Sequence, residues 1–408
     1  MKKTACLLLL PAFFLLSCQS SASSVSLNPS ITPVSSEASS SSISSLASES
    51  SSSESTVTYA SHPYENPIHF YRQDGTEYFV AAADPDCIYG DDGYYYLYIT
   101  NATVEMGSKG LLFDRGPIFR SKTLTSWTWC GSVFDGHPDA GLWGTKDAGV
   151  WAPSVIQVGD HYNYYYSLST WGDANPGVGV ATSPTPYGPW THYGKVLDQN
   201  MTGVRNGIDP YVCYEDNDLY ILWGSFYGIA ATKLTDDGTE LFYGDQVKDH
   251  LTWVIPNNRA DTESADVNLN YEGSYVVKKD GEYFYFGSQG TCLSGTASTY
   301  TVKTGKSASL FGPYLGSDGN DMVNGTYGDI VVAPSEDVGG TGHNTVIQDE
   351  KGDYWLIYHG YDIKASEHSD ERQLFLDKLI WDDTTHLPHV KDRKASVHTV
   401  LDGPVTIA

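Results

Sequence analysis

Four side chains able to handle protons or hold a cation fall at the same phase of a long repeat: Asp84, Asp209, Glu272 and His343. Three carboxylates brought together suit the hydrolysis of a glycosidic bond. One must protonate the leaving oxygen while another works as base or nucleophile on the opposite face of the sugar. Two carboxylates alone would titrate alike. A third close by raises the pKa of the acid by like-charge repulsion and keeps it protonated near neutral pH. Taken singly, each residue has a plainer explanation. Asp84-Pro85 and Asp209-Pro210 read as turns, Glu272 before Gly273 as a solvated loop residue, and His343 as a hydrogen-bonded structural histidine. Their shared position in the repeat sets them apart.

The repeat occurs five times. Each copy opens on a short polar motif and continues, about ten residues later, into an aromatic-rich strand. The copies are Asp84-Pro85 with GYYYLYIT, Trp151-Ala152-Pro153 with HYNYYYSLS, and Ile208-Asp209-Pro210 with DLYILWGSF. Tyr271-Glu272-Gly273 with GEYFYFGSQ and Gly342-His343-Asn344 with DYWLIYHGY complete the set. Successive copies lie roughly 57 to 71 residues apart, which suits a four-stranded blade with generous loops. Long amphipathic helical stretches are absent. Short β-branched and aromatic runs are instead punctuated by turns such as Asp92-Gly93, Asp237-Gly238 and Asp280-Gly281. The pattern predicts an all-β, five-bladed β-propeller; a β-sandwich is the alternative, but its strands would carry no long period. In a propeller the first strand of each blade lines the central channel, so Asp84, Asp209, Glu272 and His343 should meet around one of its ends.

The ends and the composition set the context. Lys2 and Lys3 precede a short apolar stretch, Leu7 to Leu16, too short to span a bilayer and read as the core of a signal peptide. It runs into Leu15-Leu16-Ser17-Cys18, which resembles the lipobox of bacterial lipoproteins and implies cleavage at residue 18 and lipid on Cys18. Residues 19–57 are mostly serine and offer almost nothing to bury, so they read as a disordered tether. A glycosylated stalk would look similar. Residues 58–408 form the predicted catalytic domain, on a protein held outside the cell and touching membrane only through its anchor. The chain carries 50 acidic against 24 basic residues, with no basic cluster, which argues against nucleic acid and fits a neutral polymer. Its 30 tyrosines and 10 tryptophans suit sugar stacking as well as strand and core packing. Cys87, Cys130, Cys213 and Cys292 form no CxxC pair; free thiols are the default, and one or two disulfides stay open.

Longer segments resemble glycoside hydrolase family 43, and within it the endo-1,5-α-L-arabinanases. NGIDPYVCYEDNDLYILWGSFYGI (206–229) resembles the NAIDP strand and GSF segment of that group. VWAPSV and YYYSLSTWGDANPGVGVATS within 150–183 are similar to its WAPD and YYSVSTFG segments. STYTVKTGKSASLFGPY (298–314) and TGHNTVIQDEKGDYWLIYHGYD complete a likeness running from about Asp84 to Pro388. The resemblance implies an inverting glycosidase with Asp84 as base, Glu272 as general acid and Asp209 as the carboxylate that tunes and orients the acid. It also implies a channel ion, usually calcium, at His343, with water supplying most of the shell because calcium favours oxygen donors. Sugar-contacting positions carry over to Asn206, Gly207, Ile208, Gly172 and the Gly224-Ser225-Phe226 segment. Trp151 is open to two readings, sugar stacking or core packing. The implied substrate is a plant cell-wall polysaccharide, arabinan or arabinoxylan, and the implied state a monomer. Three departures alter the subsite walls: Ala83 stands where a histidine usually precedes the Asp-Pro, Glu272-Gly273-Ser274 replaces Glu-Ala-Pro, and Cys292 stands without a paired cysteine. An exo-acting α-L-arabinofuranosidase or β-xylosidase of the same fold, and a non-catalytic carbohydrate-binding propeller, are the alternatives. A fructan-active enzyme lacks support, since no Asn-Asp-Pro-Asn start is present.

Overall fold

Runs such as His161–Ser169 and Glu282–Gln289 are aromatic or β-branched on both faces, so they need cover on both sides. Stacked sheets supply it. A computed structural model describes residues 57–138, 143–145, 147–256, 270–323 and 327–408. The signal peptide, lipidation at Cys18 and, Val57 apart, the tether lie outside the described residues.

Five sheets follow one another along the chain as the blades of a propeller. Blade 1 contains Asp86–Tyr89, Tyr95–Tyr98, Pro117–Ser121 and Ser126–Ser132, extended by His69–Tyr71 and Glu77–Tyr78 to six strands. Blade 2 is Gly149–Val158, His161–Ser169, Gly177–Ser183 and Thr191–Asp198; blade 3 is Tyr211–Glu215, Asp218–Trp223, Ile229–Lys233 and Thr252–Ile255. Blade 4 is Glu272–Lys279, Glu282–Gln289, Thr301–Ser307 and Asp329–Val332. Blade 5 differs from the expected four strands, pairing only Val338–Gln348, Tyr354–Asp362 and Gln373–Lys378. Each aromatic-rich run predicted from sequence is the second strand of its blade.

The apolar core is not central. It is divided into wedges between neighbouring blades, and each wedge takes side chains from both. Tyr98 and Ile118 meet Val155 and Tyr164 between blades 1 and 2, and Val178 and Val180 meet Ile221 and Trp223 between 2 and 3. Leu222 and Ile229 meet Tyr283 and Tyr285, Phe284 and Phe286 meet Leu356 and Tyr358, and Trp355 and Ile357 return to Leu97 and Trp127. No blade can bury its faces alone, so the ring must close. The four cysteines Cys87, Cys130, Cys213 and Cys292 are free thiols.

Closure falls to the N-terminal segment. Tyr59–Ser61 pairs antiparallel with Val405–Ile407, and the Ile68 N–H bonds the Leu374 carbonyl at 2.8 Å. Between them the buried Asn66 side chain stands in for a missing strand. It accepts from the Leu376 N–H at 2.9 Å and donates to the Leu376 carbonyl at 2.8 Å. Asn66→Ala would leave both backbone groups of Leu376 unpaired. A loss of about 2–6 kcal/mol in unfolding free energy is expected, read by urea titration, at one to three per orphaned group. A change within error would show that the ring does not depend on this bond.

Candidate active site

Each blade kinks into the left-handed region at its inner strand, just before it at Asp84 (φ 52°) and Asp209 (57°) and within it at Ala152 (45°), Gly273 (59°) and His343 (49°). Asp and His tolerate this conformation better than most residues, and Gly takes it freely. The kinked N–H points at the preceding blade, where the end of the second strand receives it. Asp84 donates to His359 Nδ1 at 3.2 Å, Ala152 to Thr100 Oγ1 at 3.0 Å, Asp209 to Ser167 Oγ at 2.9 Å and His343 to Ser288 Oγ at 2.8 Å. In blade 3 the matching position is Gly224, which has no side chain to offer. The Gly273 N–H bonds the Asp209 carboxylate instead. Asp84, Asp209 and His343 therefore share one structural position, as expected, but Glu272 sits one residue earlier than theirs. Its blade spends the left-handed position on Gly273, and Glu272 reaches the channel from the extended residue before it, matching Trp151 of blade 2.

Asp84, Asp209, Glu272 and His343 nevertheless converge. All four line one cavity of about 800 Å³, together with Arg372. Asp84 Oδ1 lies 3.1 Å from Arg372 Nη1, and its Oδ2 accepts from Thr100 Oγ1 at 2.5 Å. Burial pushes the Asp84 carboxyl up, but the Arg372 charge, His343 and the Thr100 hydroxyl outweigh it and hold the group well below the usual carboxylate range. His359 Nδ1 is also 3.4 Å from Asp84 Oδ1, yet it forms no ion pair there. That nitrogen accepts the Asp84 N–H, so it carries a lone pair, and burial drives the imidazole well below its ordinary pKa.

The acid side is built the opposite way. Burial raises Glu272 to about 7, against hydrogen bonds from Tyr300 and Ser225, and the Asp84 charge adds to the rise. Tyr300 donates to Oε1 and Ser225 to Oε2, both at 2.7 Å, and Asn206 Nδ2 holds the Ser225 hydroxyl at 2.9 Å. Burial and repulsion from Glu272 and Asp84 raise Asp209 well above its usual range, so it and Glu272 titrate as a pair. Near neutral pH one site holds an ionised carboxylate with a cation beside it and a protonated carboxyl across from it.

The walls are aromatic. Trp151 lies 6.0 Å from Trp171, whose indole is 79% exposed, and both line the cavity. A Cβ on Gly149 would come within 2.0 Å of Trp151 Nε1, so that glycine is what lets the indole lie over the backbone. Arg205 stacks over Tyr227 at 4.2 Å on the blade 3 side. Of the sugar-contacting positions implied by sequence, Gly172, Asn206, Ile208, Ser225 and Phe226 line the cavity. Gly207 and Gly224 do not; they serve the backbone. A Cβ on Gly224 would meet the Gly228 carbonyl at 2.2 Å, and one on Gly207 would crowd Val204 and Trp223. Arg372, Thr100, His359, Tyr300 and Trp171 escaped the sequence reading. Trp171 was legible as an aromatic beside Gly172, whereas Arg372 and His359 carried no local signal.

Calcium takes six to eight oxygens. Near His343 the carboxylate on offer is Asp84, 3.4 Å from Nδ1, and both of its oxygens are engaged by Arg372 and Thr100. Among the described residues no three His, Cys, Asp or Glu side chains gather to hold a metal. An ion at His343 would rest on one imidazole and water, beside a guanidinium of its own sign. The donor set does not fit calcium, and Arg372 supplies the positive charge at the base.

The sequence profile of the glycosyl hydrolases family 43 matches residues 78–386. The chain is 28% identical over 272 residues to an extracellular exo-α-(1→5)-L-arabinofuranosidase of Cellvibrio japonicus, covering 63% of this chain and 76% of that protein. It is 29% identical over 286 residues to arabinan endo-1,5-α-L-arabinosidase A of Aspergillus niger, covering 66% and 78%. Among solved structures, the α-L-arabinanase of Cellvibrio cellulosa complexed with arabinohexaose superposes with a TM-score of 0.62 at 23% identity, over 76% of this chain and 96% of that one. An endo-arabinanase of Bacillus licheniformis gives 0.60 at 24% identity, over 76% and 97%. Dialysis against EDTA is expected to leave the thermal midpoint of this protein unchanged. A fall that calcium reverses would place an ion at His343 and displace Arg372 from the role given to it.

Proposed function

The chain belongs to the glycosyl hydrolases of family 43, and from that premise we propose that it cleaves α-1,5-linked arabinan in endo fashion with inversion. The observation carrying this reading is the opposed surroundings of two carboxyls in one cavity, a guanidinium on Asp84 and neutral hydroxyls on Glu272. Arg372 and Thr100 keep Asp84 ionised, while burial holds the Glu272 proton to about pH 7. Asp84 is the base that takes a proton from the attacking water, and its low pKa makes it a weak base that is always ready. Glu272 gives its proton to the leaving oxygen. Asp209 and Glu272 repel each other and titrate as a pair, so one proton is held between them, and Asp209 accepts the Gly273 N–H.

The exposed Trp171 and the neighbouring Trp151 offer flat apolar faces for furanose rings, which supports stacking for Trp151 over core packing. Endo action finds support in the fungal relative, and the exo-acting bacterial relative supplies the competing reading. We place the enzyme outside the cell as a monomer, anchored through Cys18; its leader sequence and its extracellular relative support this.

Linear debranched arabinan, sized over time, tests the proposal. A spread of oligomers at early times is expected, and Glu272→Ala should lower that rate by about 10²- to 10⁴-fold. Arabinose as the sole early product would make the enzyme exo-acting, and no product from this or branched arabinan would favour a binding propeller. Asp209→Asn should also move the basic limb of the pH–rate profile downward. That limb records proton loss from the coupled pair, and removing one of two mutually repelling carboxyls lets the remaining proton leave at lower pH. An unmoved limb would take Asp209 out of the tuning role.

A further inference from the structure

We propose that Tyr300 is a positioning residue which selects the oxygen of Glu272 that carries the catalytic proton and ties the acid to the wall that orients the base. The inference rests on the acid role given to Glu272 above.

Tyr300 is 1% exposed and stands outside the residues lining the cavity, just ahead of the strand Thr301–Ser307. Its hydroxyl donates to Glu272 Oε1 at 2.7 Å. The opposite oxygen, Oε2, faces Ser225, which does line the cavity. A serine hydroxyl has two lone pairs. Ser225 donates to Oε2 when Glu272 is ionised; once Oε2 carries a proton that bond reverses, one serine lone pair taking the Asn206 amide and the other the Oε2 proton. The Tyr300 phenol, with its proton committed to Oε1, keeps that oxygen an acceptor. The proton of the acid is thereby directed to Oε2, on the cavity side.

The ring is as firmly held as the hydroxyl. A Cβ on Gly342 would lie 2.0 Å from Tyr300 Cδ1, so the phenol packs on the bare backbone next to His343. On the other side it stacks with His359, centroids 5.6 Å apart and planes 15° from parallel. His359 is the residue that accepts the Asp84 N–H at 3.2 Å. Glu272, Tyr300, His359 and Asp84 thus form one buried line of contacts that joins the acid to the base. Asp84, Asp209, Arg372 and Cys292 are the other charged or titratable groups that face Glu272.

Tyr300→Phe in the full chain keeps the ring and removes the hydroxyl. On linear arabinan kcat should fall about ten- to a hundredfold, the value of a hydrogen bond to a charged group, with KM unchanged. On an aryl α-L-arabinofuranoside with a nitrophenolate leaving group the loss should be only a few-fold, because little protonation is needed. The basic limb should move up, since a donor that favoured the carboxylate is gone. Site-specific 3,5-difluorotyrosine at 300, a stronger donor that packs as tyrosine does, should move it down. Equal losses on both substrates, or a limb that ignores both replacements, would overturn the proposal. A wild type inactive on arabinan would instead sink the substrate reading. The Tyr300 role is then read without substrate, from the ¹³C titration of the Glu272 carboxyl, which should rise in Tyr300→Phe and which overturns the role if it stays put.

Discussion

The left-handed kink at each inner strand is the constraint from which the rest of the site follows. A kinked residue turns its N–H toward the neighbouring blade, and the buried amide must find an acceptor there. Thr100, Ser167, Ser288 and His359 provide it, each from the end of the preceding blade's second strand. Neighbouring blades are thereby locked in register at the end of the channel where Asp84, Asp209, Glu272 and His343 meet. The break at Gly224 matters most, because it hands the Gly273 amide to the Asp209 carboxylate and so draws a buried acidic group next to Glu272.

Opposite protonation of two similar carboxyls follows from what each is given as a neighbour. Both Asp84 and Glu272 are buried, which alone would raise both. Asp84 receives a guanidinium and a hydroxyl at hydrogen-bond distance. Glu272, raised first by burial, receives two hydroxyls and the negative charge of Asp84, and stays protonated to about pH 7. Arg372 decides the difference. A lysine or a hydrated ion in its place would present a point charge, whereas the guanidinium is permanently charged and weakly hydrated, which suits a mostly buried position.

Rigidity at the site is inherited from the wedges between blades. Each inner strand carries one or two functional side chains, and each is packed from both sides by aromatic residues such as Tyr164, Trp223 and Tyr285. A displacement of one blade would therefore be felt in two wedges at once. The Asn66 closure keeps the last wedge, between blades 5 and 1, equivalent to the others although blade 5 lacks a fourth sheet strand.

The sequence by itself determined the five-fold period, the all-β class and the set Asp84, Asp209, Glu272 and His343, because those features are carried by local runs and turn residues repeating along the chain. The family resemblance added Asn206, Ser225, Phe226 and Gly172, which line the same cavity. The fold alone decided the surroundings of each carboxylate. Arg372 lies 288 residues from Asp84, and His359 lies 275 from it, so no local pattern could pair them. The one-residue offset of Glu272 likewise came from which residue takes the left-handed kink, a matter of backbone geometry that Gly273 permits and spacing does not reveal. Protonation, finally, depends on burial and on charges contributed by other blades. These are properties of the closed ring, and a linear chain does not have them.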